Sequence, residues 1–547
     1  MAALREVHHA LLRYGFDRDR SHIEHIRYFG DLICNGIKVP VYLDIVDREF
    51  ISIPRIILVD RPAELPSTCA HLGPDNVLCY VAKGTSHFDI FNAGEQIIGC
   101  VSEAEKLLSR LLSGDVLEET REEFYYYWGG APILIDLEDV KDSKSTAWHV
   151  SHSGTEKQFW IISSNYDEVL QKYSRSGFTI EKKGAPAYII SASNSPMIGE
   201  ESWPPKTLGQ FVRWLNTYDK EAFKKLKRVL LDVHKEKQLR YLFIFINDYS
   251  WFGVSVLFNE PIKNVVRYGS SWVQHLLQGK GQSTKIIRMQ PVRVDEEYVI
   301  NRSLGEQKSL AGLRIALAGC GTIGGYLAKQ LIQTGAGSAG GQLVLADPDI
   351  LGPNNLGRHV LGVQELLSYK SDGLRDWLIH QMPHANIVSY PEDIRNIPLE
   401  SFDLIIDATG EEPLSEALNL RYTKGGLPPV IYTWVMGAGT AAQCLLVDSK
   451  SFGCYRCLRS TDGLEKFTPV LEDIDPLVMG KGCDDYYVPF SSSASMQAAS
   501  LAGQMALGWV NDSASPRFRT RIVDYKNAKN VKDQNLVRNS RCPACSR

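Results

Sequence analysis

The stretch from Leu313 to Arg358 constrains the fold more than any other part of the chain. An apolar run, Leu313-Arg314-Ile315-Ala316-Leu317-Ala318, leads into Gly319-Cys320-Gly321-Thr322-Ile323-Gly324-Gly325. Helix-compatible residues follow from Tyr326 to Ile332, and a second apolar run from Gln342 to Ala346 ends at Asp347-Pro348-Asp349. Strand, glycine turn, helix, strand and acid, in that order, make the first unit of a nucleotide-binding α/β domain. Gly319, Gly321 and Gly324 let the backbone approach a phosphate, and the helix behind them offers N–H groups and a partial positive charge. Asp347, at the end of the second strand, is placed to bind a ribose hydroxyl. Taken alone, this fingerprint fits a nicotinamide dehydrogenase equally well, or a Rossmann-like turn that holds no ligand.

The residues after the acid change that balance. Asn354-Asn355-Leu356-Gly357-Arg358-His359 comes next, then Lys370, and Leu404-Ile405-Ile406-Asp407-Ala408-Thr409 ends another strand. A dehydrogenase has no use for this set of Asn, Arg and Lys beside its phosphates, whereas an enzyme that adenylates a carboxylate does. Arg358 and Lys370 neutralise a triphosphate, Asn355 fixes its geometry, and Asp407 is the candidate for Mg²⁺, a hard cation that prefers carboxylate oxygen and water. No GxxxxGK[ST] loop is present, which argues against P-loop phosphoryl chemistry. At these residues the chain resembles the ubiquitin-activating superfamily, which includes the ThiF/MoeB-type adenylyltransferases of thiazole and molybdopterin synthesis. That family shows a GxGGxG turn, D-x-D, N-L-x-R-Q, a downstream Lys and D-x-T-D. Here Asp347 and Asp349 form the D-x-D pair, His359 stands where Gln is usual, and Gly410 where the second Asp is usual. The resemblance covers roughly residues 296–547 and implies ATP and Mg²⁺ as cofactors. It also implies that an arginine upstream of the first strand, here Arg302, reaches ATP, often that of the partner subunit, and that the enzyme is a homodimer.

At 547 residues the chain has room for three or four domains, and 44% hydrophobic residues supply several cores. A net charge of −4 argues against nucleic acid or a membrane surface as the partner. No apolar run approaches the ~18 residues a membrane span needs, and the first residues lack the charged and apolar regions of a secretion signal. Eleven cysteines, an odd number spread along the chain, fit reactive or metal-binding roles in a reducing cytoplasm better than a disulfide framework.

Residues 2–14 carry helical apolar spacing, and β-rich runs follow at His25–Leu32, Val39–Ile45 and Ile56–Val59. A long irregular loop then contains Cys69-Ala70-His71-Leu72-Gly73-Pro74-Asp75-Asn76-Val77-Leu78-Cys79-Tyr80, before an amphipathic stretch from Phe91 to Leu112. This loop resembles the active-site segment of ubiquitin-conjugating enzymes, with Cys79 at the thioester-accepting position. His71 stands eight residues upstream, where the eukaryotic family has Asn and bacterial relatives commonly have His. The resemblance assigns His71 to the oxyanion of aminolysis, through an N–H donor. Cys69 is the rival nucleophile; Cys34 and Cys100 read as structural, since a lone Cys among apolar neighbours is usually a small buried hydrophobe.

Glu122-Glu-Phe-Tyr-Tyr-Tyr-Trp128-Gly-Gly reads as a domain edge, aromatic and then flexible. Beyond it, strand-like runs (Ile133–Ile135, Phe159–Ile162, Ala187–Ile190, Arg240–Ile246, Trp251–Leu257) and helices (Leu208–Asn216, Glu221–His234) form an α+β connector. Lys224, Lys225, Lys227 and Lys235 read as a solvated face. His149-Val-Ser-His152 is isolated, with no acid nearby, and reads as incidental.

Two CxxC turns, Cys454/Cys457 and Cys542/Cys545, supply four thiolates, the set preferred by structural Zn²⁺. A redox dithiol is the alternative. Gly453-Cys-Tyr-Arg-Cys-Leu458 is similar to the first zinc pair of related adenylyltransferases. Cys483 sits in a glycine-flanked segment just before Ser495-Met-Gln497-Ala, where the activating family carries its catalytic cysteine; Lys481 and the following helix start favour its thiolate.

The expected architecture is therefore α/β and multidomain: an N-terminal α+β ubiquitin-conjugating-like domain (1–130), an α+β connector (131–295), and a C-terminal Rossmann-like ThiF/MoeB adenylation domain (296–547). The whole layout resembles the bacterial fused activating–conjugating enzymes of CBASS anti-phage operons. That resemblance implies a carboxylate from the C-terminus of a cGAS-like nucleotidyltransferase, carried on Cys483 and then Cys79 to lysine amines of target proteins. A bacterial ubiquitin-like modifier as the carried protein, a sulfur-carrier adenylyltransferase, and a nucleotide-binding scaffold or dehydrogenase are the alternatives.

Overall fold

A computed structural model describes residues 2–65, 69–73, 75–81, 87–115, 123–174, 177–194, 196–198, 203–236, 238–248, 250–258, 269–459, 466–471 and 488–546. The chain divides into two compact units, residues 1–166 with 180–292 and residues 167–179 with 293–547. The α/β multidomain class expected from the sequence is what is observed.

The first unit begins with an antiparallel meander of Asp17–Asp19, Ile26–Cys34, Ile37–Ile45, Arg55–Leu58 and Val77–Leu78, paired in chain order. The period of two is plain in the second strand. Tyr28, Leu32 and Cys34 are buried while Phe29 and Ile33 face out. Gly30 leaves the room that Phe16 fills, since a Cβ there would lie 2.5 Å from the Phe16 ring. Helices Ala2–Tyr14 and Ala93–Ser113 cover this face with Val7 and Leu11, and with Ile97, Val101, Ala104 and Leu108, a helical stripe closing one core. The second helix stops at Gly114, whose left-handed conformation (φ +75°) lets its N–H reach the Arg110 and Leu111 carbonyls. The last strand is two residues long, so the chain leaves the sheet directly into Cys79.

The same unit continues into an eight-stranded sheet. Ala185–Ser191 pairs in parallel with Arg240–Ile246 on one side and antiparallel with Ser143–His152 on the other, which closes the sheet on itself. Ile133, Ile135, Ala147, Ile162, Ala187, Ile189, Leu242, Ile244 and Met289 pack together as one of its cores. Strands Ser143–His152, Phe178–Ile180 and Ile286–Arg293 and helices Tyr166–Tyr173 and Gly269–Gln278 are not among the runs expected from the sequence. Ser-Lys-Ser-Thr-Ala-Trp-His-Val-Ser-His has too few apolar side chains to announce a strand. His149 does meet an acid, contrary to expectation: Glu181, brought from another strand's end, lies 2.9 Å from its Nδ1. On the basic helix Lys220–Lys235, Lys224 and Lys235 pair with acids one turn away, but Lys225 reaches Asp142 and the Ser191 carbonyl, so that face is more than solvated charge.

Another correction concerns residues 123–130. Phe124 and Trp128 anchor this stretch in a core, while Tyr126 stays exposed. Phe124 and Trp128 of the short helix Phe124–Trp128 are fully buried among Trp203, Trp214 and Phe252, with Trp128 ring centroids 5.3–5.7 Å from theirs. Trp128 Nε1 donates to the Met289 carbonyl, and Arg288 Nε donates to that of Trp128. A Cβ at Gly130 would lie 2.3 Å from the Arg288 carbonyl, so only glycine passes there.

The second unit is built on a seven-stranded sheet in the order Ile387–Tyr390, Gln342–Ala346, Arg314–Ala318, Leu404–Asp407, Val430–Met436, Ala441–Val447, Phe518–Ile522. The first five strands run parallel, Ala441–Val447 runs against them, and Phe518–Ile522 is antiparallel to Ala441–Val447. The chain reverses direction across the sheet at Arg314–Ala318, and the crevice beyond such a reversal is where open α/β sheets bind ligands. Helices Thr322–Gln333 and Ser492–Val510 pack against one face and bury Leu327, Leu331, Ala498, Ala502 and Met505. No described helix is long and apolar enough to cross a membrane.

Candidate active sites and metal centre

A cleft of about 380 Å³ opens at that crevice, lined by Gly319, Gly321, Asp347, Asp349, Asn355, Arg358 and Lys370 among others. The three turn glycines serve different ends. Gly321 has open space where a Cβ would stand, so a ligand can approach its backbone. Gly319 has φ +85° and lies against Thr409 of the neighbouring strand end. Gly324 does not line the cleft; its missing Cβ would lie 1.8 Å from the Gly319 carbonyl, so it permits turn and helix to pack.

Lys370 Nζ lies 2.7 Å from Asp349 Oδ2, a half-exposed pair on the cleft wall. Asn355 Oδ1 accepts from the Gly352 N–H and shapes the turn it stands in. The Arg358 guanidinium covers the Phe490 ring at 4.3 Å and donates to the Val488 carbonyl. Asp347 lines the cleft, but its oxygens accept from the N–H groups of Cys320 (2.6 Å) and Asp349 (2.8 Å). Burial raises its carboxyl above the usual range, against those two hydrogen bonds and Lys370. Its evident work is to tie the second strand to the glycine turn, while Asp349, Asp393 and Glu411 present the more accessible carboxylates.

Asp407 requires a correction. It is 1% exposed and lies outside the cleft lining. Its oxygens accept from Thr409 N–H, Thr409 Oγ1 (2.6 Å) and Ser415 Oγ (2.6 Å), and burial raises its carboxyl. A carboxylate so enclosed holds the strand end; hydrated Mg²⁺ cannot reach it. Arg302 also stands elsewhere: it is exposed and, with Arg293, Glu297, Tyr298 and Asn301, lines a separate depression of about 290 Å³. Cys483 and Lys481 lie outside the described residues.

His359 explains its own departure from the family pattern. It is 6% exposed, its Nδ1 accepts from the Leu361 N–H, and its Nε2 faces the Cys320 carbonyl at 2.8 Å, which places the proton on Nε2. A glutamine amide offers the same donor and acceptor. His359→Gln is therefore expected to leave thermal stability near that of the parent, whereas His359→Leu orphans a buried carbonyl and N–H and costs about 1–3 kcal/mol for each. Burial holds the imidazole below its ordinary value. The unfolded chain, titrating near ~6.5, then binds the extra proton, so stability is complete above that pH and falls as pH drops below it. Melting curves between neutral pH and pH 5 should show this loss in the parent and less of it in His359→Gln.

Cys454, Cys457, Cys542 and Cys545 converge, with all four sulfurs within 4.8 Å of one another. Sγ–Sγ distances of 3.9 Å (454–457), 3.8 Å (454–542) and 3.5 Å (457–545) match the ~3.8 Å edge of a tetrahedron with Zn–S near ~2.3 Å. Asn419 Nδ2 and the Asn539 N–H donate to two of the sulfurs, as thiolates require. This donor set fits a structural Zn²⁺ that joins the C-terminal segment to the strand-end turn.

In the first unit, Cys79 is exposed. Cys69, its rival, is 3% exposed with Arg61 Nη2 at 3.4 Å from its sulfur, and burial raises its thiol. Exposure thus separates the two. An isolated antiparallel bridge joins Leu72 to Leu78, and the Cys79 N–H donates to the His71 carbonyl at 2.8 Å, so His71 and Cys79 stand opposite each other. His71 holds φ +60°, an uncommon conformation for a residue with a side chain, at this very point. Sequence reasoning missed one residue here. Glu123 Oε1 lies 3.0 Å from His71 Nδ1, and Glu123 Oε2 accepts from the His71 N–H at 3.1 Å. Burial would raise the Glu123 carboxyl, but His71 and Tyr127 hold it below the usual range. Burial and the Glu123 charge raise the Cys79 thiol.

Comparison with known proteins agrees with both halves. Residues 295–545 match the ThiF family, and residues 16–132 match the Prokaryotic E2 family B. The ATP-dependent ubiquitin transferase-like protein Cap2 of Pseudomonas aeruginosa is 34% identical over 508 residues, spanning 92% of this chain and 91% of that protein. The protein of the same name from Escherichia coli is 27% identical over 549 residues, 93% and 91% of the two chains. Among solved structures, E. coli MccB with ATP overlaps 62% of this chain and 85% of its own, at 15% identity and a TM-score of 0.34. Matched along nearly its whole length, the chain belongs to the family of the ATP-dependent ubiquitin transferase-like proteins Cap2, enzymes in which ubiquitin-activating-like and ubiquitin-conjugating-like domains share one polypeptide.

Proposed function

We propose that the chain activates the C-terminal carboxylate of a partner protein and ligates it to lysine amines. The carboxylate oxygen attacks the α-phosphorus of ATP in the cleft of the second unit, and pyrophosphate leaves. The Cys483 thiolate attacks the acyl-adenylate carbonyl and expels AMP. The acyl group passes to the Cys79 sulfur, and an amine then forms the amide while Cys79 is released. His71 serves this last step. The accessible cleft carboxylates Asp349, Asp393 and Glu411 would hold Mg²⁺, which would supply Lewis-acid charge toward the phosphates. Lys370 and Arg358 meet the triphosphate, and Arg302, remote from its own chain's cleft, serves that of a second copy in a homodimer. Residues 1–130, 131–295 and 296–547 are the conjugating, connecting and activating parts. The partner is a cGAS-like nucleotidyltransferase in a CBASS operon.

The observation that supports this reading most is an exposed cysteine facing a histidine in the same chain as a glycine-walled cleft that holds Arg358, Lys370 and accessible carboxylates. A ubiquitin-like modifier as the carried protein would use the same chemistry. A sulfur-carrier adenylyltransferase would use the cleft and leave Cys79 idle. ATP–pyrophosphate exchange tests the first step: it should require the partner's intact C-terminus and fall about 100-fold in Lys370→Ala. Exchange that ignores the partner, or that survives Lys370→Ala unchanged, counts against the reading.

A further inference from the structure

We propose that Glu123 is a positioning residue for His71 in acyl transfer from Cys79, itself held in place by a helix whose aromatic side chains are buried in the connector's core. The inference rests on the reading that Cys79 carries an acyl group.

Glu123 does two things with one carboxylate. Oε2 accepts from the His71 N–H and fixes a backbone held at φ +60°. Oε1 meets Nδ1 at 3.0 Å and fixes the ring. A carboxylate only accepts, so Nδ1 carries the proton, and Nε2, left bare, takes a proton from the reacting groups rather than donating an N–H to the oxyanion as the resemblance implied. In the transfer, the amine nitrogen bonds to the thioester carbonyl carbon and the C–S bond breaks. The amine's proton passes to Nε2, and the imidazolium, stabilised by Glu123, returns it to the departing Cys79 sulfur. Nothing is oxidised or reduced, and Cys79 ends as a thiol.

The carboxylate is itself held firmly. Glu123 directly precedes the helix whose Phe124 and Trp128 are fully buried in the aromatic core. Tyr127, one helical turn on, donates its hydroxyl to the Leu72 carbonyl, next to His71. Gln290 Nε2 donates to the Tyr125 carbonyl. One short helix thus has one side locked in the connector core and the other against the loop that presents Cys79.

Glu123→Gln is the informative change because it keeps shape and removes one acceptor. A glutamine amide cannot accept both the backbone N–H and Nδ1–H; one is lost, or the ring reverses its tautomer. The full chain would be charged at Cys79 with a fluorescent glycine-ended peptide supplied as a 2-mercaptoethanesulfonate thioester, which needs neither ATP nor the partner. Cys79→Ala identifies the adduct. Discharge into free lysine and into hydroxylamine is then timed. The expected result is equal charging of parent and Glu123→Gln, discharge into lysine about 100-fold slower in the variant, and partial recovery in Glu123→Asp. Hydroxylamine, a less basic amine whose adduct sheds its proton readily, should show a smaller deficit. Equal lysine rates in parent and variant would overturn the inference alone, as would a deficit identical for both amines. Failure of the variant to charge would reduce Glu123 to a structural role and overturn it too. Failure of the parent to charge at Cys79 would sink the acyl-carrier reading, and this inference with it.

Discussion

Cys79→Ala is expected to abolish amide conjugation while leaving ATP–pyrophosphate exchange and thioester formation at Cys483 intact. The first unit gives the reason. Cys79 follows a two-residue strand and is exposed, whereas Cys34 and Cys69 are buried and Cys100 is half-buried on a helix with its thiol raised by burial, so Cys79 is the described cysteine of this unit best presented to accept the acyl group. Loss should be complete within detection, because removing the sulfur removes the covalent intermediate itself. The fold should not suffer, since an exposed side chain contributes little to the core. The measurement is a gel assay of thiol-resistant adducts, run beside the exchange assay on the same preparation. Conjugation that persists in Cys79→Ala would favour direct use of the Cys483 thioester or a sulfur-carrier role.

The second large effect concerns the four-cysteine centre. Cys542→Ser is expected to release the metal and to lower the melting temperature of the second unit by tens of degrees, and a strong chelator should do the same to the parent. Zinc bound by such a set contributes apparent free energies of about 10–16 kcal/mol in small zinc domains, comparable with the whole stability of a domain. Here the rest of the unit has its own core, so the loss should be partial. Cys454, Cys457 and Cys542 lie in the cluster with Tyr432, Leu445 and Phe518, which is why freeing the metal disturbs the sheet and not only the last residues. Metal analysis of the purified chain should give one Zn per polypeptide, and Cys542→Ser none. A chain that purifies without metal and melts unchanged in Cys542→Ser would point to the redox dithiol.

What could be read from the sequence was local. The glycine turn, the D-x-D end and the paired CxxC motifs each occupy a few consecutive residues whose chemistry survives any packing. The order strand–turn–helix–strand then dictated a parallel sheet and a crevice at its reversal. Asp407 shows the limit. Sequence placed a carboxylate at a strand end but not its direction, and packing turned it beneath Thr409 and Ser415, away from solvent. Glu123 shows the converse. It pairs with His71 across 52 residues and had no motif of its own, only a place beside aromatic residues that looked like an edge. The closed connector sheet was equally hidden, because closure depends on which strands pair, as Ala185–Ser191 does with Ser143–His152, and register is not written in composition.

The central claim is that one acyl group visits two sulfurs of one chain in a fixed order. The direct measurement combines the chain, ATP, Mg²⁺ and the proposed partner protein, quenches within seconds, and resolves adducts on non-reducing gels with and without thiol. Thiol-labile adducts should form at Cys483 and at Cys79; Cys483→Ala should lose both, and Cys79→Ala only its own. A Cys79 adduct that forms at the normal rate in Cys483→Ala would contradict the relay.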